Sequence, residues 1–217
     1  MPDESAREPG APYGEPPGSD WAAYYRSTIG REPRPLFAKG MAAVDAAGLA
    51  PVQAIEIGFG DGRETLALLE AGWRVLAIDP APAAAEVLQA QVPDHVAGRL
   101  EIRSMPAEHV DLLPFDLLYA GYSLPFLGAD AFDRFWGAIR ARLRPGGILI
   151  VNFFGPRDSW AGREGMRFID VVEVGRLVDG LELLALDEED QDGDSFLGPK
   201  HWHVFDVIAR RPPGQAQ

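Results

Sequence analysis

Residues 54–62, with the sequence Ala-Ile-Glu-Ile-Gly-Phe-Gly-Asp-Gly, constrain the fold of this chain more than any other stretch. The apolar run 54–57 predicts a short strand buried on both faces, and the alternate glycines predict a tight turn that lets a ligand approach the backbone. Residues 63–71 have the apolar spacing of an amphipathic helix, and residues 73–78 predict a second strand that ends at Asp79. Together these segments form a βαβ unit suited to a nucleoside ligand.

The spacing of the glycines separates two classes of nucleotide ligand. A dinucleotide fingerprint has the pattern G-x-G-x-x-G, because a pyrophosphate lies on the N-terminus of the following helix. Gly58 and Gly60 match this pattern, but Arg63 occupies the third glycine position. The carboxylate of Glu56 would also repel an anion. A nicotinamide-dependent reductase is therefore disfavoured, while a generic glycine turn in another α/β protein stays open at this point.

The same residues resemble motif I of the class I S-adenosylmethionine (SAM) dependent methyltransferases, which reads acid-x-Gly-x-Gly-x-Gly. Glu56, Gly58, Gly60 and Gly62 match this motif, and Asp79 matches the family's acid at the end of the second strand. The resemblance implies that SAM is the cofactor and that these five residues bind it. Asp79 would accept hydrogen bonds from both ribose hydroxyls, a role that suits an ionised carboxylate.

Further motifs extend the resemblance over about residues 20–210. The turn Arg-Pro-Gly-Gly at 144–147 is a signature of the superfamily. Three shorter segments, 123–126, 154–160 and 200–203, are similar to the group of small tellurite-resistance-like and small-molecule methyltransferases. The fold that the resemblance implies is α/β, a Rossmann-like three-layer sandwich. Its seven-stranded, mostly parallel sheet would have the order 3-2-1-4-5-7-6, with the seventh and last strand antiparallel.

Two loops that follow predicted strands supply further candidate site residues. After the third strand many relatives carry an Asp that binds the adenine amino group, and this sequence departs from that pattern. Met105, whose sulfur is soft and polarizable, would flank the adenine ring, and either Glu108 or the backbone amides around Ala107 would supply the polar contact. The fourth strand ends at Ala120, which the resemblance also assigns to the cofactor. Tyr122 follows at the carboxyl edge of the sheet, where open α/β sheets bind ligands. Tyr122 is a candidate catalytic residue that meets the methyl acceptor, and shaping of the turn is the alternative.

An aromatic helix precedes the first strand. Residues 20–48 predict two helices separated by prolines, and Trp21, Tyr24 and Tyr25 fall on one face of the first helix. Core packing is one interpretation of these aromatic residues. The resemblance implies another, a lid over the cofactor site in which Tyr25 binds SAM.

His201 and His203 flank Trp202 just before the last predicted strand. Alternate residues of a strand share a face, and an antiparallel last strand begins near the loop that carries Tyr122. Packing at the junction competes with contact to the acceptor, for which a neutral imidazole is a suitable general base. His201 is the preferred catalytic candidate. No metal site is predicted, because the chain has no cysteine and the acidic candidates for a third ligand are dispersed.

Composition limits the remaining classes of function. The length of 217 residues predicts one domain, 20–210, between a disordered leader at 1–19 and a frayed tail at 211–217. A net charge of −13 argues against a nucleic-acid partner. Without an apolar run long enough for a membrane span or a signal-peptide pattern, no membrane partner is expected and the expected location is cytoplasmic. The sequence leaves the oligomeric state open.

Near the C-terminus, residues 181–186 predict the sixth strand and the acidic run 188–194 predicts a solvated loop. The leading functional hypothesis is a SAM-dependent methyltransferase that acts on a small-molecule acceptor at oxygen, nitrogen or sulfur by direct displacement. A SAM-binding module without transferase activity and, less favoured, a nicotinamide-dependent reductase are the alternatives.

Overall fold

The computed structural model describes residues 21–214, so the predicted leader and the last three residues of the predicted tail lie outside the described residues. No helix in this range is long and apolar enough to cross a bilayer. The helices are α1 (Trp21–Thr28), α2 (Pro35–Ala46), α3 (Arg63–Glu70), α4 (Pro82–Gln89), α5 (Asp94–Ala97), α6 (Ala129–Arg142) and α7 (Val171–Leu177). The strands are β1 (Gln53–Ile57), β2 (Arg74–Ile78), β3 (Leu100–Arg103), β4 (Phe115–Ala120), β5 (Leu143–Phe154), β6 (Glu182–Ser195) and β7 (Gly198–Arg210).

The seven strands form one sheet with the order β3-β2-β1-β4-β5-β7-β6. Strands β1 to β5 are parallel, and β7 is antiparallel to both β5 and β6. Apolar side chains of α6 and α7 pack on one face of the sheet, and those of α2, α3 and α4 pack on the other. Helices on both faces explain why the central strands carry apolar residues in both directions. The predicted three-layer fold and strand order are confirmed.

The predicted βαβ unit is present at β1, α3 and β2. Helix α3 begins after Gly62, whose φ of 77° lies in the left-handed region that favours glycine. Leu68 and Leu69 are fully buried against the sheet. The unit therefore brings the carboxyl ends of β1 and β2 together beside the start of α3.

The sixth strand is longer than predicted. β6 continues to Ser195, so the prediction of a solvated loop at 188–194 is wrong. Residues 188–195, most of which are acidic, pair with β7 residue by residue, from Glu188 opposite Phe205 to Ser195 opposite Gly198. Charged side chains are common on edge strands, where they oppose pairing with other chains. Because β7 pairs with β5 only from Val204 onward, the outer half of the β6–β7 hairpin projects beyond the sheet.

Two other boundaries differ from the predictions. The predicted helix at 168–179 is shorter, because the Asp170 carboxylate accepts the backbone N–H of Glu173 and starts the helix at the next residue. The tail is not frayed at Arg211, whose backbone N–H donates to the carbonyl of Gly147 at 2.8 Å. That bond extends the pairing of β5 with β7 by one residue.

Candidate functional site

A cavity of about 920 Å³ lies at the carboxyl ends of β1, β2 and β4. Its walls come from α1, from the loops after these three strands, and from the tip of the β6–β7 hairpin. Sites for one drug-sized ligand have volumes of about 300–1,000 Å³. The volume is therefore near the upper end of this range.

The glycine loop forms the floor of the cavity. Gly58, Gly60 and Gly62 have φ angles of 70°, 51° and 77°, values that residues with a side chain rarely adopt. Gly58 and Gly60 line the cavity, whereas Gly62 does not. A Cβ on Gly62 would lie 2.5 Å from Cδ1 of Leu88 in α4. Gly62 thus supports the loop through helix packing, and only the first two glycines are placed to meet a ligand.

Asp79 lies at the end of β2, as predicted, and lines the cavity. Its Oδ2 accepts the backbone N–H of Gly60 at 3.0 Å and its Oδ1 accepts that of Ala81 at 2.9 Å. Burial raises the pKa of Asp79 to about 6, although the two hydrogen bonds oppose this shift. At neutral pH the group is mostly ionised, and each oxygen keeps a lone pair for a ligand hydroxyl.

Glu56 lies behind the loop, outside the cavity lining. Its carboxylate is buried and accepts a hydrogen bond from the Thr65 hydroxyl in α3. Burial and the neighbouring charge of Glu64 raise the pKa of Glu56 well above its usual value. The predicted direct contact of Glu56 with the cofactor does not fit this position, because its side chain joins β1 to α3.

Arg31 ties the segment between α1 and α2 to the glycine loop. Its Nε donates to Oδ2 of Asp61 at 2.8 Å, and its Nη1 donates to Oε1 of Glu64 at 2.7 Å. Burial alone would lower the pKa of Arg31, but the hydrogen bonds to Glu64 and Asp61 raise it above its usual value. The ion pairs fix the segment that leads from α1 to α2.

Arg34, which the sequence reasoning missed, lines the cavity. Its Nη2 donates to the Tyr24 hydroxyl at 3.0 Å, and its guanidinium carbon lies 4.8 Å from the ring centroid of Tyr122. No carboxylate within residues 21–214 forms an ion pair with this guanidinium. The basic pattern Arg-Glu-Pro-Arg in an acidic chain is the sequence signal that could have drawn attention to it.

Helix α1 forms one wall of the cavity. Tyr25 is buried and lines the cavity, and a Cβ on Gly60 would lie 3.2 Å from its ring. The Trp21 ring stacks on Tyr25 at 6.1 Å, and Tyr24 lies 5.2 Å from Phe196 at the tip of the hairpin. The aromatic residues predicted as a lid therefore join the glycine loop to the hairpin.

Only one of the three residues predicted to contact adenine lies at the cavity. Ala107 lines the cavity, but Met105 and Glu108 do not, and Met105 is 39% exposed. Ala120 is fully buried in β4, and its neighbour Gly121 lines the cavity in its place. The loop after β3 thus offers the backbone around Ala107 rather than the side chains on either side.

Tyr122 lines the cavity in a strained backbone conformation, with φ of 57°. Its N–H donates to Oδ1 of Asn152 at 2.7 Å, which holds the turn. Burial raises the pKa of Tyr122 to about 12, so the phenol is protonated at neutral pH. Tyr119 and Ser123 also line the cavity, but their hydroxyl oxygens are buried and have no hydrogen-bond partner in the described part of the chain.

The predicted general base His201 is not at the cavity. Its ring is about one-third exposed on the projecting hairpin, with Nδ1 2.7 Å from Asp192 and Nε2 2.8 Å from Asp190. The hydrogen bonds to these two carboxylates raise the pKa of His201, which favours the protonated form. The expectation that His201 lies near the pocket is wrong, because β7 points Trp202 inward and its neighbours outward.

His203 belongs to a second polar group on the outer side of β7. The ligand atoms of Glu188, Asp190 and His203 lie within 4.8 Å of one another. However, Arg157 pairs with both acids, and its backbone N–H donates to Nδ1 of His203 at 3.0 Å. Nε2 therefore carries the ring proton and donates to Glu188. That tautomer offers no lone pair to a metal ion.

A family model described as a methyltransferase domain matches residues 55–151, from β1 into β5. This match assigns residues 55–151 to a methyltransferase domain. Proteins of this family use SAM as the methyl donor. No curated protein sequence matches the chain.

Three solved structures illustrate the shared fold. TehB from Haemophilus influenzae has a TM-score of 0.70 at 13% identity, covering 88% of this chain and 67% of that chain. The N-methyltransferase NodS from Bradyrhizobium japonicum, solved with S-adenosylhomocysteine, has a TM-score of 0.63 at 16% identity, covering 89% and 100%. The 1,6-didemethyltoxoflavin-N1-methyltransferase from Burkholderia thailandensis, solved with 1,6-didemethyltoxoflavin and S-adenosylhomocysteine, has a TM-score of 0.59 at 21% identity, covering 88% and 87%.

Proposed function

We propose that the protein transfers the methyl group of SAM to a small-molecule acceptor. The observation that carries this proposal is that one cavity has two chemically different ends. Asp79 after β2 and Ala107 after β3 line one end, and Tyr122 after β4 and Trp202 in β7 line the other. The glycine loop after β1 lies between them in the strand order. The first end suits a nucleoside, and the second suits an acceptor.

Each end supplies defined interactions. Asp79 would accept hydrogen bonds from the ribose hydroxyls, and Gly58 and Gly60 let the cofactor approach the backbone. Arg34 is placed to bind a carboxylate, such as that of the methionine part of SAM. Tyr25 would cover the cofactor from α1.

For methyl transfer the protein mainly has to align the acceptor with the methyl group of SAM and to exclude water. A lone pair of the acceptor forms a bond to the methyl carbon while the carbon–sulfur bond breaks, and its electrons return to sulfur as S-adenosylhomocysteine forms. Tyr122 is protonated at neutral pH and would orient the acceptor through a hydrogen bond. An acceptor that loses a proton can transfer it to water or to Glu189, a carboxylate that lines the cavity.

Calorimetric titration with SAM, S-adenosylhomocysteine and NADH tests the proposal. We expect binding of the first two and none of NADH, because Asp61 and Glu64 flank the start of α3, where a pyrophosphate would lie. Incubation with methyl-labelled SAM and a panel of small oxygen, nitrogen and sulfur nucleophiles then separates a transferase from a module that only binds SAM. Absence of SAM binding in the folded protein contradicts the proposal.

A further inference from the structure

Five aromatic side chains line the acceptor end of the cavity. This aromatic wall consists of Tyr122, Phe126, Phe154, Trp160 and Trp202. Neighbouring rings are in edge-to-face or tilted contact: the centroids of Tyr122 and Trp202 are 5.7 Å apart, and those of Trp160 and Trp202 are 6.1 Å apart. The wall is therefore a continuous aromatic surface contributed by the end of β5, by the loops after β4 and β5, and by β7.

A second group of rings lines the same end from other elements. Trp21 and Tyr24 come from α1, and Phe196 comes from the tip of the hairpin. The Trp21 ring meets Phe126 of the wall edge-on, at 5.7 Å. Aromatic side chains thus line this end from the helix, the hairpin and the sheet.

The wall is held in place from behind by a buried cation. Nζ of Lys200 lies 3.8 Å from the ring centroid of Trp202, 4.2 Å from that of Trp160 and 4.7 Å from that of Phe154. Its charge is paired with Asp158, which also accepts the backbone N–H of Trp160 at 2.9 Å. Rings anchored in this way keep their orientation without a ligand, so the shape of the site is set in advance.

We propose that the acceptor is a flat aromatic molecule that carries a ring hydroxyl or ring nitrogen. This inference rests on the proposed function and names its acceptor class. Aromatic side chains attract a flat π-surface by stacking and edge-to-face contact, in addition to the burial of apolar area. A puckered aliphatic molecule gains only the burial. The Tyr122 hydroxyl, which the proposed function assigns to orienting the acceptor, would hydrogen-bond to this polar group.

A pair of probes with the same carbon skeleton tests the acceptor class. 2-Naphthol is flat and aromatic, whereas decahydro-2-naphthol is puckered and saturated and has the larger apolar surface, and both are neutral at pH 7. Calorimetry with and without S-adenosylhomocysteine measures their dissociation constants. We expect 2-naphthol to bind at least about tenfold more tightly, although burial of area alone favours the saturated alcohol. Equal affinity, tighter binding of the saturated alcohol, or binding of neither at millimolar concentration overturns the inference.

Two variants locate the preference in the wall. Trp202→Leu removes one ring of the wall and should reduce the preference for 2-naphthol. Phe168→Leu is the matched control, because this ring lies 6.3 Å from Phe154 but does not line the cavity, and it should keep the preference. If both variants keep the full preference for 2-naphthol, the wall does not select the acceptor. Titration of S-adenosylhomocysteine into the same samples tests the proposed function separately, since its failure to bind would leave the ratio between the two alcohols measurable.

Discussion

The buried pair of Lys200 and Asp158 allows a stability prediction of defined size. Their side chains are 1% and 0% exposed, and Nζ donates to both oxygens of the carboxylate. Asp158 also accepts the backbone N–H groups of Trp160 and His203. The pair therefore joins the loop after β5 to β7 beneath the aromatic wall.

Lys200→Met removes the cation and leaves a buried carboxylate without a counter-charge. Breaking a buried ion pair by removing one partner costs about 3–5 kcal/mol, a large part of the total stability of about 5–15 kcal/mol that is typical of a domain. In the double variant Lys200→Met with Asp158→Asn no charge remains, and the Asn oxygen still accepts a backbone N–H. We expect this variant to recover at least half of the loss.

Urea unfolding followed by circular dichroism measures the free energy of unfolding. With an m-value of about 2–3 kcal/mol/M, the midpoint of Lys200→Met should fall by about 1–2 M. Lys39→Met is the matched control, because the ion pair of Lys39 with Asp187 is half exposed, with side chains 49% and 57% accessible. Such pairs contribute about 0–1 kcal/mol. If Lys200→Met costs no more than Lys39→Met, or if the double variant is no more stable than Lys200→Met, the reasoning is refuted.

Four further predictions concern the binding of SAM. Asp79→Ala should weaken SAM binding by about 2–3 kcal/mol. If calorimetry shows that the folded variant binds SAM with unchanged affinity, Asp79 does not belong to the site. Asp79 has a pKa of about 6, and its protonation removes the negative charge that accepts the ribose hydrogen bonds. The SAM affinity of the unaltered protein should therefore be about fivefold weaker at pH 5 than at pH 6. Asp79→Asn should lose this pH dependence, and an equal pH dependence in both proteins would contradict the assignment. Arg34→Met should weaken SAM binding about tenfold or more at constant stability, and an unchanged dissociation constant would show that Arg34 does not contact the cofactor. Saturating SAM should slow hydrogen exchange across Trp21–Thr28, and unchanged exchange would leave these aromatic residues with a packing role alone.

The local parts of the site were predictable because they depend on short stretches of sequence. The alternate glycines require left-handed φ angles, and the apolar runs around them require buried parallel strands, so the βαβ unit and the position of Asp79 follow from neighbouring residues. Gly62 shows the limit of this reasoning. The motif marks it as a cofactor residue, but only the packing of α3 against α4 reveals that it contacts Leu88.

The C-terminal hairpin was not predictable in the same way. Acidic residues have low strand propensity, so 188–194 resembles a loop when it is considered alone. Pairing with β7, more than ten residues away on average, makes it a strand and carries its tip to α1. The register of that pairing also places Trp202 in the cavity and His201 outside it. A shift by one residue would exchange the two side chains.

The sequence by itself therefore determined the class of fold, the order of the strands through the family resemblance, and the residues that turn the chain at the cofactor end. The tertiary structure decided which of the remaining candidate side chains reach the cavity. Arg34, Tyr122 and Lys200 are far apart in sequence, and their roles arise from burial and from neighbours on other elements. The physical reason is that backbone conformation is set largely by local sterics and patterning, whereas the electrostatics and packing of a site depend on contacts between distant segments.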